Sequence, residues 1–551
     1  VRRQLATLLR RHPGGVALAA LVGVAAGTGL SWWALGVSGA VGFLAAVQAV
    51  AVALGVLVLS HLVRQQDQLR RTGLAGVKRA RTAARRAEDR AAAVERAFRG
   101  VRRRTVDREL RRGRDADRQD AVDTALDHYQ RALEWHPQGR NPRRAHQRTV
   151  LRHLDAVDGT ARLVRELDAQ TRIENPGYAL ELAEAAYDRG VRDPDLLDRL
   201  IALREHDGRI EDAGALTVPA ARAQLRRFDG TRAPGVDGSG LQATRRVMIS
   251  GYFYSGSGAV KDLLRGVPST TVWPPAGELR VVKFPGGYAD LGRRLSEQGA
   301  LTTQDLVDHY LHLAGVRVSR RALGRYDRWR MVNADSRRLH DARPTADGYL
   351  AALYRGFLEL TELAGADELD SGGLEAHTRT VLAAAFDAVA AATGTDRVVV
   401  DQIVTAWRID IARYLPPSTF IIVHRDPRDQ FSEVREVLRQ PGRPQRKRTP
   451  EGFAEAYRAD RERVDAWVPR LEAEYGHRVL RLAFEDLVLD HQRTTHQLQE
   501  TLDLATGPVG VAHFDPDVSR RNVGKYPSHL SSAEVAVLER ELAEYLHPGV
   551  G

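Results

Sequence analysis

Val247-Met-Ile-Ser-Gly251-Tyr-Phe-Tyr-Ser-Gly256-Ser-Gly-Ala-Val-Lys-Asp-Leu-Leu264 opens with β-branched and apolar residues and passes through a Gly/Ser turn. It closes on an apolar spacing (Ala259, Val260, Leu263, Leu264) that suits a helix. The pattern predicts a strand, a tight loop and a helix N-terminus. Glycines let the backbone approach a ligand closely, and the first amides of a helix have no internal partner. Such a site favours phosphate or sulfate. From Gly251 to Gly258 the loop comes close to the nucleoside-triphosphate pattern G-x-x-x-x-G-K-[ST], with Ser257 standing where the lysine belongs. That substitution argues against chemistry at a β- or γ-phosphate.

Three further motifs follow in order. Thr419-Phe-Ile-Ile-Val-His-Arg-Asp-Pro-Arg-Asp429 is a strand pattern ending in a charged turn. Phe484-Glu-Asp-Leu487 follows a second strand pattern at 478–482, and Ser519-Arg-Arg-Asn-Val-Gly-Lys-Tyr-Pro-Ser-His-Leu-Ser531 closes the set. In this order the four resemble the sulfotransferases that use 3′-phosphoadenosine 5′-phosphosulfate (PAPS). The resemblance spans roughly residues 245–546. It implies an α/β fold, a P-loop-like parallel sheet flanked by helices.

By that resemblance Ser255, Gly256, Ser257 and Gly258 surround the donor's 5′-phosphate. Tyr254 stands where the family has a lysine or arginine that helps the leaving group. Lys283, ending a strand-like run from Leu279, is the candidate replacement cation, or else a surface lysine. Lys261 is expected on the outer face of the first helix. Arg425 maps onto the family's 3′-phosphate arginine, whose guanidinium grips phosphate through two parallel hydrogen bonds. The family's serine eight residues later is Glu433 here, so Ser432 is the nearest substitute. Arg428 and Asp429 are expected to pair and cap the following helix. Arg520 and Arg521 fall where the family's basic residues meet the 3′-phosphate, and Asn522 and Gly524 shape the turn. The carboxylates of the 484–487 motif are expected to brace the nucleotide loop.

Sulfuryl transfer needs donors for the charge developing on the leaving oxygen and a base for the acceptor's proton. Open parallel sheets bind ligands at the carboxyl ends of their strands. The run Arg397-Val-Val-Val-Asp-Gln402 ends there, which makes Asp401 the candidate base and Gln402 the residue orienting the acceptor. The alternative for Asp401 is a helix cap, and Glu278 is the reserve base. His424, inside an apolar strand, reads as a core histidine. No metal-ligand cluster is legible, and the family needs no metal.

The chain has 551 residues, enough for several domains. It has no cysteine, which excludes disulfides, zinc thiolate sites and a cysteine nucleophile. The net charge of +11 comes from 82 basic residues, nearly all arginine. Without aromatic-interleaved basic patches, that charge does not point to nucleic acid. Residues 14–35 and 39–63 each hold about 20 uncharged residues, long enough to span a bilayer as helices. Arginines flank the pair on both outer sides and the short link between them has none. The positive-inside rule then puts both ends and the catalytic domain in the cytoplasm, with the anchor in the inner membrane.

The expected order is a transmembrane hairpin (1–63), a basic juxtamembrane helix (64–114), and an α-helical stalk with a tetratricopeptide-like pair (115–227). A Gly/Pro/Ser linker (228–241) leads to a catalytic domain (242–551) with a helical insertion at about 301–394. The basic and aromatic cluster at 320–330 is a candidate acceptor wall or a solvated face. The expected activity is sulfuryl transfer from PAPS to a hydroxyl of a glycan, glycolipid or envelope precursor. Expected partners are membrane lipid, that carbohydrate acceptor, and a protein on the helical region. Two rival readings are an inactive membrane scaffold and a P-loop kinase-like enzyme.

Overall fold

In the computed structural model of the chain, five strands form one all-parallel sheet in the order β2-β3-β1-β4-β5. They are β1 (Arg245–Gly251), β2 (Thr270–Trp273), β3 (Arg397–Asp401), β4 (Thr419–His424) and β5 (Arg478–Ala483). β1, β3 and β4 carry nearly unbroken apolar runs, as strands covered on both faces must. β1 lies at the centre. Its Ile249 stands opposite Asp401 of β3, and its Gly251 opposite Val423 of β4. The chain crosses to opposite neighbours of β1, so the carboxyl end of β1 is the switch point where such sheets open a crevice.

The structure describes residues 75–173, 175–228, 244–274, 279, 281–316, 345–366, 368–438, 448–504 and 513–550. The two apolar segments 14–35 and 39–63, most of the 228–241 linker, Glu278 and the 320–330 cluster lie outside the described residues. Among the described residues no helix is long and apolar enough to cross a membrane.

The helices are α1 (Ala75–Arg118), α2 (Val122–Trp135), α3 (Arg140–Arg152), α4 (Gly159–Arg172), α5 (Pro176–Asp188), α6 (Pro194–His206) and α7 (Ile210–Phe228) before the sheet. Within and after it come α8 (Ser257–Arg265), α9 (Tyr288–Gln298), α10 (Thr303–Ala314), α11 (Asp347–Gly365), α12 (Ser371–Thr393), α13 (Pro427–Leu438) and α14 (Pro450–Tyr475). The last are α15 (Phe484–Leu489), α16 (His491–Thr501), α17 (Pro516–Arg520) and α18 (Ser532–Glu541). The expected helix pair is α5 and α6, each opened by a proline in its first turn, where the missing N–H costs nothing.

The chain divides into two compact units between Thr149 and Val150. This falls inside the helical stretch 115–227 and not at the linker. In the first unit α1 and α2 share an apolar core that includes Val106, Leu110, Ala125 and Tyr129. His128 Nδ1 meets the buried Glu109 carboxylate at 2.8 Å.

In the second unit α4–α7 belong with the sheet domain because α6 and α7 pack on α10, and α7 also on α11. Asp198 of α6 is buried at that seam. It accepts from Tyr310 Oη at 2.5 Å and Gln224 Nε2 at 2.9 Å. Burial pushes its carboxyl up to about 7. Phe228 stacks on Tyr354 with centroids 6.2 Å apart. The apolar faces of α10 and α11 are thus covered by helices that precede the sheet in sequence.

Residues 281–283 are in turns, not in the expected strand. Val282 is fully buried, so the apolar run there serves burial. The following Gly286 takes a φ of +77°, which turns the chain away from an extended path.

Candidate active site

β1 delivers the chain into the loop 251–256, and α8 begins at Ser257. Gly256 caps α8 with a φ of +88° and no side-chain hydrogen bond. The first amides of α8 therefore have no side-chain cap, the arrangement that receives an anion. A Cβ at Gly256 would lie 2.4 Å from Phe484 Cδ2, so only glycine fits between the loop and that ring. Ser255 Oγ is buried without a hydrogen-bond partner among the described residues. Tyr254 and Gln402 both hold left-handed backbone, with φ of +60° and +56°. Such conformations in non-glycine residues cost about 1–3 kcal/mol and gather at functional sites.

A cleft of about 490 Å³ opens on the β4 side of this loop. Tyr254, Gly256, Arg425, Phe484, Phe514 and Asn522 are among its walls. Arg425, at the end of β4, is only 5% exposed. Its guanidinium lies 5.2 Å from the Phe484 ring centroid, donates to the Asn522 carbonyl, and sits 3.8 Å from Glu433. Arg425 Nε is buried with no partner among the described residues. Lys525 also pairs with Glu433. Burial pulls the Glu433 carboxyl upward, but Lys525 and Arg425 together hold it below the usual range.

Asp429 accepts from Gly524 N at 2.6 Å and Tyr526 N at 2.9 Å, fastening the glycine-containing loop to α13. It does not pair with Arg428 as expected. Arg428 instead binds both oxygens of Asp426 and reaches Glu539 at 2.8 Å. Ser432 is not in the cleft wall. Its hydroxyl donates to the Asp429 carbonyl at 2.7 Å, a local bond that the helix offers any serine. Glu433 takes the position facing the cleft. Arg520 and Arg521 are exposed beside Ser519 and Asn522, two of the lining residues.

The β3 side of the loop holds a second group. Gln402 Nε2 donates to Ser257 Oγ at 2.8 Å, and Gln402 N donates to Ile249 O at 2.9 Å. Lys283 Nζ donates to the Gln402 carbonyl. Lys261 Nζ is 3.8 Å from Asp401 Oδ2, with both side chains largely buried. The outer-face expectation for Lys261 is therefore corrected. Lys261 is four residues after Ser257, so the two share one side of α8, and that side faces β3. Gly258 has open space at its Cβ position. His424 is partly buried at the end of its strand, and burial pulls its imidazole down to about 4.

Glu485 supports the cleft from beneath. It is fully buried and accepts from Asp426 N at 2.8 Å, next to Arg425. Burial outweighs that hydrogen bond and pushes its carboxyl from 4.5 to about 7. The folded state thus binds a proton that the unfolded chain releases near its ordinary value. Stability contributed by the neutral form is present below about pH 4.5 and is lost as pH rises toward 7. The shift corresponds to roughly 3 kcal/mol. Glu485→Gln keeps an acceptor for Asp426 N and removes the titration. Denaturant unfolding at pH 5 and pH 7.5 should show the wild type losing more stability than the variant over that interval. Equal losses would show that Glu485 does not titrate there.

An all-parallel sheet, an uncapped glycine-containing loop at its switch point and a buried arginine just past β4 together form a site suited to an anionic ligand. Residues 247–508 match the model of the sulfotransferase family. Sulfotransferase STF1 from Mycobacterium tuberculosis H37Rv is a solved structure that is 12% identical, with 63% of this chain and 87% of that chain covered at a TM-score of 0.29. Sulfotransferase STF9 from Mycobacterium avium is 14% identical, with 63% and 84% covered at a TM-score of 0.27. No curated protein matches the chain. The matched family transfers sulfuryl groups from a sulfate donor to an acceptor.

The sequence alone did not single out Phe514, Phe253, Trp407 or the inward Lys261. Only the last had a legible signal, its four-residue spacing from Ser257.

Proposed function

We propose that the chain is a membrane-anchored sulfotransferase that uses PAPS. It moves the sulfuryl group to a hydroxyl of a glycan, glycolipid or envelope precursor at the cytoplasmic face of the inner membrane. The observation that carries the nucleotide part is Arg425, a buried guanidinium with an unpartnered Nε at the wall of a cleft that begins at the anion loop. The anchor and the acceptor class rest on the two apolar segments with their flanking arginines and on the family resemblance.

The residues fit the donor. The uncapped amides of α8 and Ser255 Oγ suit its 5′-phosphate end, Arg425 its 3′-phosphate, and the Phe484 and Phe514 rings a planar base. Transfer forms a bond from the acceptor oxygen to sulfur as the bond from sulfur to the bridging phosphate oxygen breaks. The bond's electron pair leaves with the phosphate, so the products are a sulfate ester and adenosine 3′,5′-bisphosphate. Asp401 takes the hydroxyl proton. Gln402 orients the acceptor while its amide is fixed on Ser257. Lys283 brings an ammonium group to the β3 side of the loop, compensating for the uncharged Tyr254.

Calorimetry on the full chain tests the reading. Adenosine 3′,5′-bisphosphate should bind in the micromolar range, with ATP a poor competitor. Tight ATP binding without bisphosphate binding would move the chain to the kinase-like class.

A further inference from the structure

Among the described residues, the exposed large apolar side chains include just two aromatic rings, Phe253 and Tyr254. They are adjacent, and both are on the anion loop. Phe253 is 38% and Tyr254 44% exposed. Their ring centroids are 4.7 Å apart, edge to face. On its other side Phe253 meets the Trp407 ring, with centroids 6.3 Å apart and again edge to face. Trp407 belongs to the short helical segment Ala406–Tyr414 that follows Asp401 and Gln402. Arg463 fixes the Trp407 backbone by donating to its carbonyl at 2.7 Å. Gln430 likewise donates to the Phe253 carbonyl. The three rings thus join the loop of β1 to the loop of β3, and both backbones are pinned.

Tyr254 also lines the cleft on the β4 side. It therefore borders both the nucleotide cleft and the aromatic group. Adjacent rings left partly exposed on a pinned loop form a small contiguous apolar patch, the kind of surface that marks ligand-binding grooves. Packing does not explain their exposure, because Val247 and Ile249 of the same strand already fill the core.

We propose that Phe253, Tyr254 and Trp407 form the stacking platform for the acceptor, and that the acceptor is an alcohol carried on a ring with an apolar face. This rests on the sulfuryl-transfer reading. The donor enters from the β4 side and ends at the loop. The acceptor lies on the rings on the β3 side, with its hydroxyl toward Asp401. An aryl ring and the C–H face of a sugar present the same surface to such a platform.

The test measures sulfate transfer by the full chain from labelled PAPS to three probes. These are 2-naphthol, methyl β-D-glucoside, and the ring-free 1,4-butanediol. At least one ring alcohol should be used with a KM about tenfold or more below that of butanediol, and which one identifies the kind of ring. Phe253→Ala and Trp407→Ala should each raise that KM about tenfold, the scale of one lost aromatic contact, with a smaller change in kcat. Trp407→Phe should recover most of the loss. Bisphosphate binding by each variant checks that it is folded.

An unchanged KM in both alanine variants overturns the platform. So does a wild type that binds bisphosphate yet prefers butanediol or sulfates neither ring alcohol. A wild type that binds no bisphosphate instead removes the sulfotransferase reading, and the platform with it.

Discussion

Replacing Arg425 with alanine weakens adenosine 3′,5′-bisphosphate binding by roughly 100-fold or more. A buried charge pair truncated on one side typically costs about 2–5 kcal/mol. Arg425 is 5% exposed and lies against Phe484, so little water screens its contact with a phosphate. The variant also leaves Glu433 facing the cleft, held by Lys525 alone. That carboxylate would then repel the phosphate that the arginine had drawn in. Arg425→Lys should recover only part of the affinity, because an ammonium cannot reproduce the two-pronged geometry. Isothermal titration of both variants measures this. Near-wild-type affinity in Arg425→Ala would place the 3′-phosphate elsewhere, with Arg520 and Arg521 the next candidates.

Asp401→Asn lowers kcat by about 10²–10⁴, the usual range for loss of a general base. Bisphosphate affinity should hardly change, since Asp401 is on the β3 side and the nucleotide cleft on the β4 side. The amide keeps the side chain's size and removes its ability to take a proton. The competing role is structural, because Asp401 lies 3.8 Å from Lys261 and is largely buried. Asp401→Asn together with Lys261→Met separates the two. If the carboxylate only balances the lysine charge, the double variant regains stability and kcat together. If it is the base, stability returns and kcat stays low.

The sheet was legible in the sequence because parallel strands buried on both faces must be written as apolar runs, as at 247–249, 398–400 and 420–423. The anion loop was legible because its glycines are forced by backbone geometry, as the contact between Gly256 and Phe484 shows. Arg425 was singled out only by the resemblance of the 419–429 run to the sulfotransferases. Residues whose roles depend on distant partners were not. Ser432 was chosen by counting along the chain, yet its hydroxyl is satisfied within its own helix. The reach of Arg428 to Glu539, and of Asp429 to the 524–526 backbone, depends on segments about 100 residues apart meeting in space. The 279–283 run misled because burial of Val282 produces the same composition as a strand.

The seam between α6, α7 and the insertion has a practical consequence for anyone isolating the sheet domain. A shortened chain that begins near residue 242, at the apparent linker, would uncover the faces of α10 and α11. It would also strip the Tyr310 hydroxyl of the carboxylate it donates to. The better place to cut is at or before Val150, where the helices that cover those faces stay attached. The helical region from Val150 onward is thus less a spacer than a lid grown onto the domain from the wrong end of the chain.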